Sequence, residues 1–89
     1  MKSRTTAQFW QCFAKLPKPI QRKAYRAYRI WQSDPSAKGL FFKRVTDISD
    51  PLYSVRIDMN YRALGLLEGD TIYWIWIGGH AEYDRILAG

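Results

Sequence analysis

Tyr61–Leu87 reads YRALGLLEGDTIYWIWIGGHAEYDRIL, and this stretch decides the architecture of the 89-residue chain. Two apolar runs, Tyr61 to Leu67 and Thr71 to Ile77, flank Glu68-Gly69-Asp70. That pattern predicts an antiparallel hairpin joined by a tight turn. The only histidine, His80, follows a Gly78-Gly79 break, and Tyr83 comes three residues later. A stiff hairpin therefore ends in an ionisable ring and a phenol, in a loop position accessible to a substrate. Ala81 to Leu87 is expected to form one or two turns of helix.

Outward from the hairpin, Tyr53-Ser54-Val55-Arg56-Ile57-Asp58 alternates, with Tyr53, Val55 and Ile57 on one face. Met59-Asn60 turns this strand into Tyr61. Leu40 to Val45 is expected to be a further short strand, and Ser49-Asp50-Pro51 a turn. The N-terminal half has a different period. Thr5-Thr6-Ala7-Gln8 has the form of a capping box, so a first helix starts near residue 6. Phe9, Phe13 and Leu16 give it one apolar stripe, and Pro17 with Pro19 ends it. A second helix over about residues 19 to 33 buries Ile20, Ala24, Ala27, Tyr28 and Trp31. Lys18, Arg22, Arg26 and Arg29 ride its opposite face. The fold class is α+β: an N-terminal αα-hairpin on a four-stranded, mainly antiparallel sheet with a short C-terminal helical turn.

Size and composition bound the rest. Eighty-nine residues make a single domain over 1–89. The 47% hydrophobic and 16% aromatic fractions suffice for one core and exclude a disordered chain. Cys12 is alone, so no internal disulfide forms, and one Cys with one His does not make a zinc site. No metal or other cofactor is expected. No apolar run reaches membrane-spanning length, and MKSRTTAQFW lacks a signal-peptide core, so a soluble cytoplasmic protein is expected.

The net charge of +6 is unevenly spread. Met1 to Arg44 holds eleven Lys or Arg against Asp34 alone, a balance of +10, and Val45 to Gly89 carries −4. Such a gradient points to a polyanionic partner met largely by the first half, nucleic acid or the ribosome, with simple solubility as the plainer account. Lys18, Arg22, Arg26 and Arg29, with Lys43 and Arg44, are the candidate RNA-binding residues. Lys43 and Arg44 are adjacent on a strand and face opposite ways. A solvated helix face accounts for the four-residue stripe equally well.

Candidate chemistry falls on four side chains. Arg56 and Arg62 project from strands joined at Met59-Asn60, and a guanidinium fork suits a scissile phosphate. Surface pairing of Arg56 with Asp58 is the plainer account of that residue. His80 is able to exchange protons near neutrality. Tyr83, at i+3, lies beside it if the segment is helical. Trp74 and Trp76 are expected on one strand face, opposite Tyr73, Ile75 and Ile77, with at least one face in the core. RNA scission needs no metal, because the substrate's own 2′-OH is the nucleophile.

These residues give the chain a resemblance to the RelE/ParE superfamily of bacterial type II toxin–antitoxin toxins. The segments that carry it are LPKPIQRKAYRAYRIWQSDP, YSVRIDMNYRAL and IYWIWIGGHAEYDRIL. The resemblance implies a metal-independent endoribonuclease that cuts mRNA on the ribosome and stops translation. It implies that Arg56 and Arg62 stabilise the transition state, with His80 as general acid or base and Tyr83 as its partner or a stacking group. A small acidic antitoxin is the implied partner, in a hetero-oligomer, beside the ribosome and mRNA. The alternative within the superfamily is a ParE-like DNA gyrase inhibitor with no chemistry of its own. The chain departs from the family pattern in three ways. MKSRT has no apolar alternation, so the usual N-terminal strand is expected to be missing or very short. His80 and Tyr83 are separated by two residues rather than adjacent. No acid stands where one subgroup places a catalytic glutamate.

Overall fold

The structure is a computed structural model that describes residues 1–46 and 51–88. In chain order the elements are β1 (Lys2–Thr5), α1 (Ala7–Ala14), α2 (Lys18–Ser33), a 3-10 turn (Lys38–Leu40), β2 (Lys43–Arg44), β3 (Leu52–Asp58), β4 (Tyr61–Glu68), β5 (Thr71–Gly79) and α3 (His80–Ala88). The α+β class and the αα-hairpin are as expected, but among the described residues the sheet has five strands, ordered β1-β5-β4-β3-β2.

The additional strand is β1, parallel to β5 with Lys2 opposite Thr71 and Thr5 opposite Trp74. It needs no apolar alternation because it is an edge strand with mostly exposed side chains, held through its backbone. Residue 5 therefore belongs to a strand, and the helix cap falls to Thr6. The Thr6 hydroxyl accepts from the Phe9 N–H at 3.2 Å and donates to the Trp74 carbonyl at 3.0 Å. One side chain thus starts α1 and fastens it to β5. Gln21 closes the hairpin by donating from Nε2 to the Phe13 and Leu16 carbonyls at the end of α1, the first of which also accepts from the Leu16 N–H.

One sheet face packs under the two helices. Phe9, Leu16, Ala24, Ala27, Trp31 and Leu40 meet Val55, Ala63, Ile72, Trp74 and Ile77 there. Trp31, 2% exposed, sits edge-on to Trp74 at 5.4 Å between ring centroids. On the other face Leu64, Trp76 and Tyr83 form a smaller cluster beneath α3.

Trp74 and Trp76 thus lie on opposite faces, contrary to simple alternation. The cause is a bulge: Leu64 pairs with Trp76 and Gly65 with Trp74, leaving Ile75 as an extra residue in β5. Gly78 and Gly79 do not break the chain either. They continue β5, opposite Arg62 and Tyr61. Gly78 is required by a close approach, since a Cβ there would stand 2.6 Å from the Trp76 ring. The strand expected over Leu40 to Val45 shrinks to Lys43–Arg44, because Lys38–Leu40 winds into a 3-10 turn and Phe41 takes a left-handed conformation. Of the turn expected at Ser49-Asp50-Pro51, Ser49 and Asp50 lie outside the described residues. The C-terminal helix is longer than one or two turns and begins at His80 itself.

Candidate functional site

The site is built from rows of residues running across the sheet. Arg56 pairs directly with Arg62 across β3 and β4, and Arg62 with Gly78 across β4 and β5. The neighbouring row on the same face runs Lys43, Ser54, Leu64, Trp76. Two arginines therefore stand side by side next to a position with no side chain. His80 lies two residues beyond Gly78, and its N–H donates to the Asn60 carbonyl at 2.8 Å. That bond ties the start of α3 to the β3–β4 turn.

Each of these side chains has defined surroundings. Arg62 Nη1 lies 2.6 Å from the Asp58 carbonyl, 3.0 Å from that of Tyr61 and 3.3 Å from that of Met59. One edge of its guanidinium is thus spent on the turn. The Arg56 guanidinium lies over the Phe41 ring, 5.2 Å from its centroid. His80 Nδ1 is 3.2 Å from Asp84 Oδ2 one helical turn on, and the imidazole is half-exposed. Tyr83 is buried. Its ring centroid is 5.9 Å from that of His80 and 6.4 Å from that of Trp76, and its hydroxyl donates to Ser54 Oγ at 3.0 Å.

Asp58 pairs with Lys23 of α2 at 3.1 Å rather than with Arg56. The reason is a second bulge, in which Ile57 is skipped between the Arg56–Arg62 and Asp58–Tyr61 pairs. Burial works to raise the Asp58 pKa. The Asn60 N–H and the Lys23 ammonium outweigh it, so the carboxyl sits below its ordinary value.

Arg56 also lines a groove of about 480 Å³ with Lys23, Arg26, Ile30, Leu40 and Asp58, which Arg62, His80 and Tyr83 do not line. The four residues read as catalytic thus form two couples at one end of the sheet, Arg56 with Arg62 and His80 with Tyr83. Lys43 shares the sheet face of Ser54, whereas Arg44, opposite Tyr53, faces the other way and donates from Nε to the Thr46 carbonyl. Lys18, Arg22, Arg26 and Arg29 are all exposed on α2. Sequence reasoning missed Ser54, Asp84 and Lys23 as partners. His80-x-x-x-Asp84 has helical i,i+4 spacing, a signal that becomes legible once α3 is known to start at His80. The other two partnerships depend on tertiary contacts and left no local mark.

The profile of the ParE-like toxin domain family matches residues 18–85. No curated protein matches the chain by sequence. Among solved structures, the fold is similar to that of the RelB–RelE antitoxin–toxin complex from Methanococcus jannaschii, with TM-score 0.71, 20% identity, and 91% of this chain and 95% of that chain covered. It is also similar to the archaeal RelE–RelB complex from Pyrococcus horikoshii OT3 (TM-score 0.68, 17% identity, 88% and 92% covered). The YoeB/ParE toxin from Agrobacterium tumefaciens matches with TM-score 0.67 and 19% identity over 90% of this chain and 99% of that one. At these identities the likeness is one of fold.

Proposed function

Because the chain belongs to the ParE-like toxin family, we propose that it is the toxin of a type II toxin–antitoxin pair and a ribosome-dependent mRNA endoribonuclease. The observation that carries this reading is the direct pairing of Arg56 with Arg62, one residue row from the strand end that leads into His80. The paired guanidinium groups hold the non-bridging oxygens of the scissile phosphate. The 2′-OH of the preceding nucleotide forms the new O–P bond, and the bond to the 5′-oxygen breaks. His80 serves one of the two proton transfers, taking the 2′-OH proton or supplying one to the departing 5′-oxygen, and solvent water serves the other. The products are a 2′,3′-cyclic phosphate and a 5′-OH end, reached without a metal. Tyr83 holds α3, and with it His80, against the sheet through Ser54.

The ribosome presents the mRNA, and the stripe of Lys18, Arg22, Arg26 and Arg29 meets its RNA in the cytoplasm. A small acidic antitoxin, partly disordered alone, neutralises the toxin by folding onto it in a hetero-oligomer. The charge of the first half supports this, as do the RelB-bound states of the two archaeal relatives. The test is purified protein added to programmed ribosomes and to naked mRNA. Cleavage only with ribosomes is expected; cleavage of naked RNA alone, or none in either, overturns the reading.

A second reading, inhibition of DNA gyrase without chemistry, is favoured by the family description and by the engagement of the Tyr83 hydroxyl with Ser54. The double variant Arg62→Ala with His80→Ala separates the two, since toxicity that survives it belongs to gyrase.

A further inference from the structure

Phe41 combines features that packing does not require. Among the described residues it is the only non-glycine with positive φ, at φ 46 and ψ 42. It is 57% exposed, while its neighbour Phe42 is the one that packs on Trp31. A left-handed backbone and a wet aromatic ring are both unfavourable for phenylalanine, and such outliers gather at functional sites. Among the described residues the ring meets the Arg56 guanidinium, 5.2 Å from its centroid.

We propose that Phe41 and Arg56 form a stacking platform for the RNA base beside the scissile phosphate; this deepens, and rests on, the RNA-cleaving reading above. A nucleotide joins a flat π-face to a phosphate, and this corner of the sheet offers the same two complements side by side. The aromatic ring and the guanidinium plane stack with a base of any identity. Arg56 and Arg62 face the phosphate from adjacent strands. Lys43, two residues past Phe41 and opposite Ser54, adds charge along the same face.

Ribosomes programmed with an mRNA whose A-site codon carries 2-aminopurine and 2′-O-methyl groups report stacking by fluorescence without being cut. Wild-type protein changes the emission, and Phe41→Trp retains the change. Phe41→Leu keeps apolar bulk but no ring; it loses the signal and binds the programmed ribosome about 5- to 150-fold more weakly. Phe41→Gly, whose backbone suits the left-handed region, behaves like Phe41→Leu and supplies a folded comparator. An unchanged signal in both ringless variants, or no signal from the wild type, overturns the platform. So does an unchanged signal accompanied by weakened capture of the antitoxin, which would assign the ring to protein docking. Cleavage of unmodified mRNA is read in parallel. A wild type that stacks without cutting removes the nuclease reading alone, and cutting indifferent to Phe41→Leu removes the platform alone.

Discussion

Arg56 and Arg62 stand directly opposite one another across β3 and β4, two like charges in a position that ordinarily disfavours them. Cross-strand repulsion of this kind costs roughly 0.2–1 kcal/mol. Arg62 offsets part of it through the carbonyls of the β3–β4 turn. Arg56→Gln is therefore expected to leave stability unchanged or raise it by up to about 1 kcal/mol in urea unfolding. Cleavage should fall by about 10²–10³-fold in the same variant, as for loss of a transition-state donor. A marked loss of stability with cleavage retained would make Arg56 structural.

The Tyr83–Ser54 hydrogen bond is buried, with Ser54 only 3% exposed. Tyr83→Phe removes the donor and leaves the Ser54 hydroxyl desolvated, which costs about 1–3 kcal/mol. Adding Ser54→Ala should recover most of the lost stability. If cleavage recovers with stability, Tyr83 positions α3; a double variant that is stable and inactive assigns the phenol to proton transfer.

Glycine positions in the sheet separate close approach from open space. A Cβ at Gly65 would stand 2.7 Å from Ile72 Cγ1 and 2.8 Å from Trp74, whereas one at Gly39 meets nothing within 4 Å. Gly65→Ala is expected to destabilise by about 1–3 kcal/mol, the usual range for overpacking. Thermal unfolding of Gly39→Ala should match wild type.

The Lys23–Asp58 pair ties α2 to the end of β3. Its carboxyl is held below the ordinary value, so the contribution to stability is fully present above the unfolded-state pKa near 3.8 and is lost as pH falls through the lower folded-state pKa. Since Lys23 is half-exposed, the pair itself is worth no more than about 1 kcal/mol. Wild type should exceed Asp58→Asn in stability at neutral pH, and the two should converge in acid below the ordinary carboxylate range. A gap that persists there would show that the ionised form is not what matters.

Periodicity made the two helices and strands β3 to β5 legible, because each carries a continuous apolar face. It failed where the backbone rather than the side chains sets the structure. β1 is an edge strand whose residues KSRT bear no pattern, and its pairing with β5 is visible only in three dimensions. The bulge at Ile75 turns Trp76 away from Trp74, an effect that a period of two does not contain. Gly78-Gly79 read as a break because glycine weakens strands, yet Arg62 and Tyr61 pair with both. At the site, residue types and chain order pointed to Arg56, Arg62, His80 and Tyr83. Register then added which arginines face each other, and tertiary contact added which carboxylate reaches Lys23.

The central claim is that this chain cuts translated mRNA using Arg62 and His80. Sequencing mRNA 5′ ends after a brief pulse of expression tests it most directly. New ends within coding regions are expected for wild type and none for Arg62→Ala with His80→Ala. Growth arrest with no new ends, or identical ends from the double variant, would contradict it.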